Sequence, residues 1–211
     1  DMSGMIINLA TNEMITTEYF EGYDIDNNCV AVGSYHGTYS NGVAAMFVNG
    51  EVIEIDLSNI TENNDFSCLT GISPDGSYAV GWYCNYDGDN TYYARIYGGC
   101  IPFCYDVIKN KVTVPEFGNR LYNDVGATAI KAVAPDRTLL GYEQSQGIHS
   151  IIWADEYTPF EYVHFEYDEQ YNPVCSLGDT QNLFSQTGRY IYGKAVDYAA
   201  GQITYAAAYD R

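Results

Sequence analysis

The stretch Ile72-Ser73-Pro74-Asp75-Gly76-Ser77-Tyr78-Ala79-Val80-Gly81 decides how this chain is read. Pro74-Asp75-Gly76 is a turn: proline presets the first bend, aspartate can bond its own backbone two residues on, and glycine accepts the left-handed conformation. Tyr78 to Val80 is a short β-prone run. A tight turn in front of such a run reads as a reversal between two antiparallel strands.

The phrase recurs. Aligned on its last glycine, it matches Ile25 to Gly33, Ala134 to Gly141 (one residue shorter) and Ser185 to Gly193, so the glycines fall 48, 60 and 52 residues apart. Each copy puts a turn element (Asn27-Asn28, Pro135-Asp136-Arg137, Gln186-Thr187-Gly188) ahead of its run, and the closing glycine marks a bulge or a close backbone approach. Further apolar segments follow at 44–48, 92–97, 150–153 and 204–209, then at 52–57 after Asn49-Gly50 and at 111–114 after Lys109-Asn110. No sustained 3.6-residue apolar period is present, so almost no helix is expected.

Four strands in a unit of about 50 residues is the pattern of a propeller blade. The chain is therefore expected to be all-β, one domain over 1–211, a β-propeller-like array of about four four-stranded antiparallel blades. The units fall near 21–66, 67–118 and 128–168. A further unit joins 1–20 to 181–211, because Met5 to Thr16 parallels Tyr105 to Val114 and the tail from Gln202 stops where the first half of a blade ends. A closed ring and a fragment of a longer propeller both fit, and the fragment is favoured because four blades is the lower limit for a ring.

Ser73-Pro74-Asp75-Gly76 followed by Ser-Tyr-Ala-Val resembles the blade repeat of Tol-type bacterial propellers, and Cys104 to Thr113 looks like the third strand, turn and fourth strand of that repeat. Val32-Gly33-Ser34 with Ala45 to Gly50 is also similar to extracellular repeats named for a His-Ala-Phe tripeptide, which is itself absent here. These resemblances imply a fold rather than an activity.

Composition narrows the partners. With 28 acidic against 9 basic residues the net charge is −19, which repels phosphate backbones and anionic headgroups and excludes nucleic acid as a partner. Hydrophobic residues form 46% of the chain, enough for a globular core, yet no window approaches the roughly 18 apolar residues of a membrane span. Acidity with abundant Asn, Gly and Tyr fits a secreted or outer-surface bacterial protein. No charged and apolar leader follows Asp1, so any signal peptide has been removed or lies outside the sequence. Cys29, Cys68, Cys84, Cys100, Cys104 and Cys175 permit disulfides or buried thiols, and none stands at zinc-site spacing.

Successive strands of a blade run antiparallel, so the short turns lie on one face and the long connections on the other. Binding groups are expected on the long loops. Tyr35, His36 and Tyr39 belong to the first; Trp82, Tyr83 and Tyr86 approach the second; Tyr142 and Glu143 begin the third. Aromatic rings with polar tips suit glycan or protein ligands, although tyrosine is equally a strand residue that packs between blades. Asn85, Asp87 and Asp89 alternate oxygen donors as a calcium loop does, but the place of its bidentate Glu is held by Ile96 and a hairpin turn explains the run as well. No other cofactor is indicated. Nucleophile-elbow, phosphate-loop and zinc-peptidase motifs are absent, so the expected function is a binding or scaffold module. The alternative is a polysaccharide hydrolase or lyase with a carboxylate pair in the central pocket, and a larger assembly would show as exposed blade edges. The aromatic, acidic run 157–171 reads as an outer strand and its exit.

Overall fold

The computed structural model describes residues 3–7, 11–12, 14–35, 42–62, 67–84, 100–116, 128–143, 149–163, 165–167, 173–177, 183–185, 187–197 and 203–211, and every regular element among them is a strand. A hairpin of β1 (Ser3–Ile7) and β2 (Met14–Glu18) comes first. Three four-stranded antiparallel sheets follow in chain order. The first blade is β3 (Phe20–Ile25), β4 (Ala31–Tyr35), β5 (Val43–Val48) and β6 (Glu51–Glu54). The second is β7 (Ser67–Ile72), β8 (Tyr78–Cys84), β9 (Cys100–Asp106) and β10 (Lys111–Thr113). The third is β11 (Thr128–Val133), β12 (Leu139–Glu143), β13 (His149–Trp153) and β14 (Glu161–Tyr162).

The last sheet holds β15 (Phe165–Tyr167), β16 (Pro173–Leu177), β17 (Leu183–Phe184), β18 (Tyr190–Asp197) and β19 (Ile203–Asp210). Here β19 pairs with the whole of β18, while β16 and β17 share the opposite side of β18 and β15 pairs with the far side of β16. First strands of successive blades pack side by side: β3 on β7, β7 on β11, β11 on β17. No sheet closes on itself, and β1–β2 stands in a sheet apart from β17–β19. No described helix is long and apolar enough to cross a membrane.

The second strand of each blade explains the repeat. Neighbouring residues on a strand face opposite ways, and here they enter successive inter-blade cores. Ala31 packs with Phe20 and Phe47, whereas Val32 joins Met46, Leu69 and Phe103. Ala79 belongs to that same core, but Val80 joins Ile130, Ile151 and Trp153. Leu139 lies in the second of these cores and Leu140 in the next, with Val163 and Ile191. A strand buried on both faces needs an unbroken apolar run, and β4, β8 and β12 each have one; in β18 Ile191 is buried while Tyr190 and Tyr192 are exposed.

The closing glycines mark close approaches, as expected from their place in the repeat. A Cβ on Gly33, Gly81 or Gly141 would stand 1.8, 2.1 or 2.2 Å from the carbonyl oxygen of Glu21, Cys68 or Ala129 on the first strand. At that level each first strand bulges by one residue: Tyr23, Thr70 and Lys131. In the last sheet Gly193 lies where the pairing of β18 passes from β17 to β16.

The corners share one backbone form. Cys29, Gly76, Arg137 and Gly188 all sit at positive φ, between 64° and 74°. Each donates its N–H three residues back, to Asp26, Ser73, Ala134 and Ser185. The first corner, like the third, closes with an amide of Asp26 or Ala134 donated four residues on, against five in the others. The first copy of the repeat is thus one residue shorter than its sequence alignment had it.

Gly81→Ala is expected to lower stability by about 1–3 kcal/mol through the forced shift of the Cys68 carbonyl. Gly22→Ala, whose Cβ would meet only Phe20 Cε1 at 3.4 Å, should cost less. Urea midpoints measure both, and equal losses would contradict the close approach.

Candidate functional site

Successive blades meet through their corners. The Asn27 N–H donates to the Pro74 carbonyl at 3.1 Å, and the Ile72 N–H donates to Asp24 Oδ2 at 2.9 Å. Burial raises the Asp24 carboxyl above its ordinary value, while the amides of Ile72 and Ile25 pull it back. This carboxylate is engaged in holding backbone. Gly76 leaves just enough room for Asp26 Oδ2, which a Cβ there would meet at 2.3 Å.

The contact between blades two and three is ionic. The Arg137 guanidinium lies 4.8 Å from the Tyr78 ring centroid and donates to Asp106 Oδ2 at 3.2 Å, and Lys109 Nζ reaches the same oxygen at 3.0 Å. Burial works to raise the Asp106 carboxyl, but the Lys109 donors and the two positive charges outweigh it and hold it below its ordinary 3.8. Behind this pair, burial pushes the Tyr78 phenol and the Cys104 thiol far up, with Glu156 adding to both. Neither ionises near neutral pH, so neither is a ready nucleophile.

Between blades three and four a cleft of about 330 Å³ opens on the corner face. That volume is at the lower end for small-ligand sites. Ile152, Ala154, Pro159 and Val163 form apolar walls, Tyr209 of β19 closes one side, and Glu161 and Arg211 supply opposite charges. Arg211 is held in place: both terminal nitrogens donate to the Asp136 carboxylate, its N–H donates to the Arg189 carbonyl at 3.0 Å, and its guanidinium lies 5.7 Å from the Phe184 ring. Burial raises Asp136, but Arg211 and the Thr138 donors bring it below the ordinary value.

Of the residues expected from sequence, the described ones lie outside this cleft. Tyr35 ends β4 half-buried against the Phe20–Phe47 cluster. Trp82 is half-buried opposite Cys68. Tyr83 is 4% exposed, with its ring centroid 6.4 Å from that of Phe103 and its hydroxyl donated to the Ile60 carbonyl. Tyr142 is half-buried under Lys131 Nζ, 5.8 Å from its ring centroid. Glu143 closes β12 opposite Thr128 and His149. His36, Tyr39, Tyr86, Asn85, Asp87 and Asp89 lie outside the described residues, as do 92–97; the third strand of blade two is β9. Among the described residues no three His, Cys, Asp or Glu converge as metal ligands. Cys29 is an exposed thiol, Cys104 a buried one, Cys68 is buried with Sγ donating to the Leu69 carbonyl, and Cys84 is buried opposite Cys100 in the register. The run from Tyr157 divides: Glu161–Tyr162 is the outer strand of blade three, and Phe165–Tyr167 already belongs to the next sheet.

Lys131, Arg137 and Arg211 were not singled out by sequence. Their signal was scarcity, since each is one of only 9 basic residues, and Lys131 interrupts the otherwise uncharged strand Thr128-Ala129-Ile130-Lys131-Ala132-Val133.

No protein-family model and no curated protein matches the sequence. Solved structures match the fold. TolB from Acinetobacter baumannii aligns with TM-score 0.54 at 11% identity, over 90% of this chain and 42% of that one. The putative TolB from Agrobacterium tumefaciens gives 0.52 at 10%, over 88% and 64%. A chain from a structural and mechanistic study of two prolyl endopeptidases gives 0.50 at 9%, over 95% and 36%. The chain has a TolB-like β-propeller fold and spans less than two thirds of the length of these structures. At such identities the likeness concerns the fold alone.

Arg137→Met is expected to cost about 1–2 kcal/mol at neutral pH, since it strips a donor from a buried carboxylate while its own side chain is partly exposed. Folded Asp106 titrates below 3.8, so the unfolded chain binds more protons just under that pH and the ionic contribution drains away as pH falls through the folded value. The gap in urea midpoint between variant and parent should therefore shrink below pH 3.8. A gap that is the same at pH 7 and pH 3 would count against the ion pair.

Proposed function

We propose that this chain is a binding module, a propeller segment that takes polypeptide ligands in the cleft between its third and fourth blades, displayed in the bacterial envelope or outside the cell. The observation that carries the reading is the cleft itself: apolar walls between the fixed guanidinium of Arg211 and the carboxylate of Glu161. Opposite charges across an apolar slot suit a peptide, whose backbone and side chains offer both polarities. Among the described residues β19 hydrogen-bonds to β18 alone, so an extended segment entering the cleft can also add to that edge. The TolB-like fold supports a binding scaffold in general terms. The ends of the second strands, with Tyr35, Trp82, Tyr142 and Glu143, lie on the opposite face and offer a second surface for the same partner class.

Peptides selected from a displayed random library on the immobilised chain test the proposal, with Ala154→Trp as the counter-screen. Ala154 is exposed on the cleft wall, so the indole fills the slot without entering a core. Selected peptides are expected to bind this variant at least about tenfold more weakly, about 1.4 kcal/mol, with the melting temperature unchanged. Equal affinity for variant and parent, or binding of glycans without peptides, contradicts the proposal.

A further inference from the structure

Cys84 is the last residue of β8 and Cys100 the first of β9, and the antiparallel register sets the two directly opposite each other. Among the described residues no other two cysteines are so placed. Cys68 lies opposite Trp82, Cys104 opposite Val80, and Cys175 between Glu166 and Asp197 of its neighbouring strands. Cys29 belongs to the corner of blade one.

Spacing separates the possible pairings. Directly opposed residues of an antiparallel pair have Cα atoms about 4.5 or 5.5 Å apart, and a disulfide spans about 4.4–6.8 Å. Their Cβ atoms need to draw together by about an ångström, and the pair sits at the end of both strands, where the ladder no longer holds them on the far side. Cys68 meets Cys84 only on the diagonal, where Cα atoms are about 7–8 Å apart. Cys104 stands four residues along β9 from Cys100, about 13 Å of extended strand. Burial also pushes the Cys104 thiol far above its ordinary value, which keeps it from competing as a thiolate.

We propose that Cys84 and Cys100 are oxidised to a cross-strand disulfide, which closes residues 85–99 into a covalent ring. The oxidant is another disulfide, either a small one such as oxidised glutathione or that of a protein oxidoreductase. The thiolate of one cysteine attacks it, forming a mixed disulfide and releasing one thiol. The second cysteine then attacks the first cysteine's sulfur, forming the new S–S bond and releasing the other thiol. Two protein thiols are oxidised, one disulfide is reduced to two thiols, and the two protons pass to the leaving sulfurs. Cys84 is buried in the folded chain, so its sulfur meets the oxidant during folding. An envelope location supplies such oxidants, but the pairing rests on strand register and owes nothing to the peptide cleft.

The test folds the chain from urea in glutathione buffers of graded redox ratio, with exposed Cys29 replaced (Cys29→Ser), then quenches with acid, alkylates and maps the peptides by mass. Cleavage after Phe103 parts Cys100 from Cys104, so the two can be told apart. The 84–100 link is expected to be the principal disulfide. Its equilibrium constant against glutathione should be at least about tenfold larger in the native chain than in the chain held in urea, because only the fold holds the two sulfurs together. Cys100→Ser should remove the link and return Cys84 as an alkylated thiol. A principal link between any other two cysteines, full alkylation of Cys84 and Cys100 after folding in oxidised glutathione, or a constant no larger in the native chain than in urea overturns the proposal.

Discussion

Successive blades of this protein are tied at their corners, blades one and two by hydrogen bonds of the backbone and the later ones by side-chain ion pairs. Asn27 donates to the Pro74 carbonyl, and Asp24 receives the Ile72 amide at the end of the next inner strand. These bonds satisfy polar groups that the packing of β3 on β7 would otherwise strand, and an unsatisfied buried group costs about 1–3 kcal/mol. They also fix where the following blade starts, and so the height at which its bulge and its second strand enter the core.

The same corner is built with three kinds of residue at its left-handed position. Glycine holds the left-handed position in two copies, cysteine in another, and Arg137 in the third. A non-glycine residue there costs about 1–2 kcal/mol. At Arg137 the Tyr78 stacking and the Asp106 ion pair offset that cost and tie blade two to blade three. Between blades three and four the tie is again a guanidinium, Arg211 on Asp136. Two basic residues of this acidic chain, Arg137 and Arg211, thus fasten one blade to the next, while Lys109 and Arg189 pair within their own blades.

Much of the fold could be read from periodicity. In the first three blades turn, apolar run and glycine each state a physical requirement: a corner, a strand buried on both faces, and room for a neighbouring carbonyl. Residue identity hid the rest. The corner at Asp26 to Val30 carries neither proline nor glycine, so its missing residue did not show in the alignment. The meeting of β16 and β17 on one side of β18 depends on pairing with β18 rather than on any local signal. The cleft was less legible still, because Thr138, Glu161 and Arg211 come from separate parts of the chain and meet only when two blades pack. Tyr83 shows the opposite difficulty: its position at a strand end suggested a contact surface, and the structure uses its ring in the core.

Native-state hydrogen exchange at the corners tests this account most directly. If corner contacts hold the blades, the amides of Asn27 and Ile72 open only with global unfolding, at the same free energy as the central amides of β8 despite their place at turns and strand ends. Exchange of Asn27 and Ile72 at a clearly lower free energy than β8, as in a frayed surface turn, would contradict it.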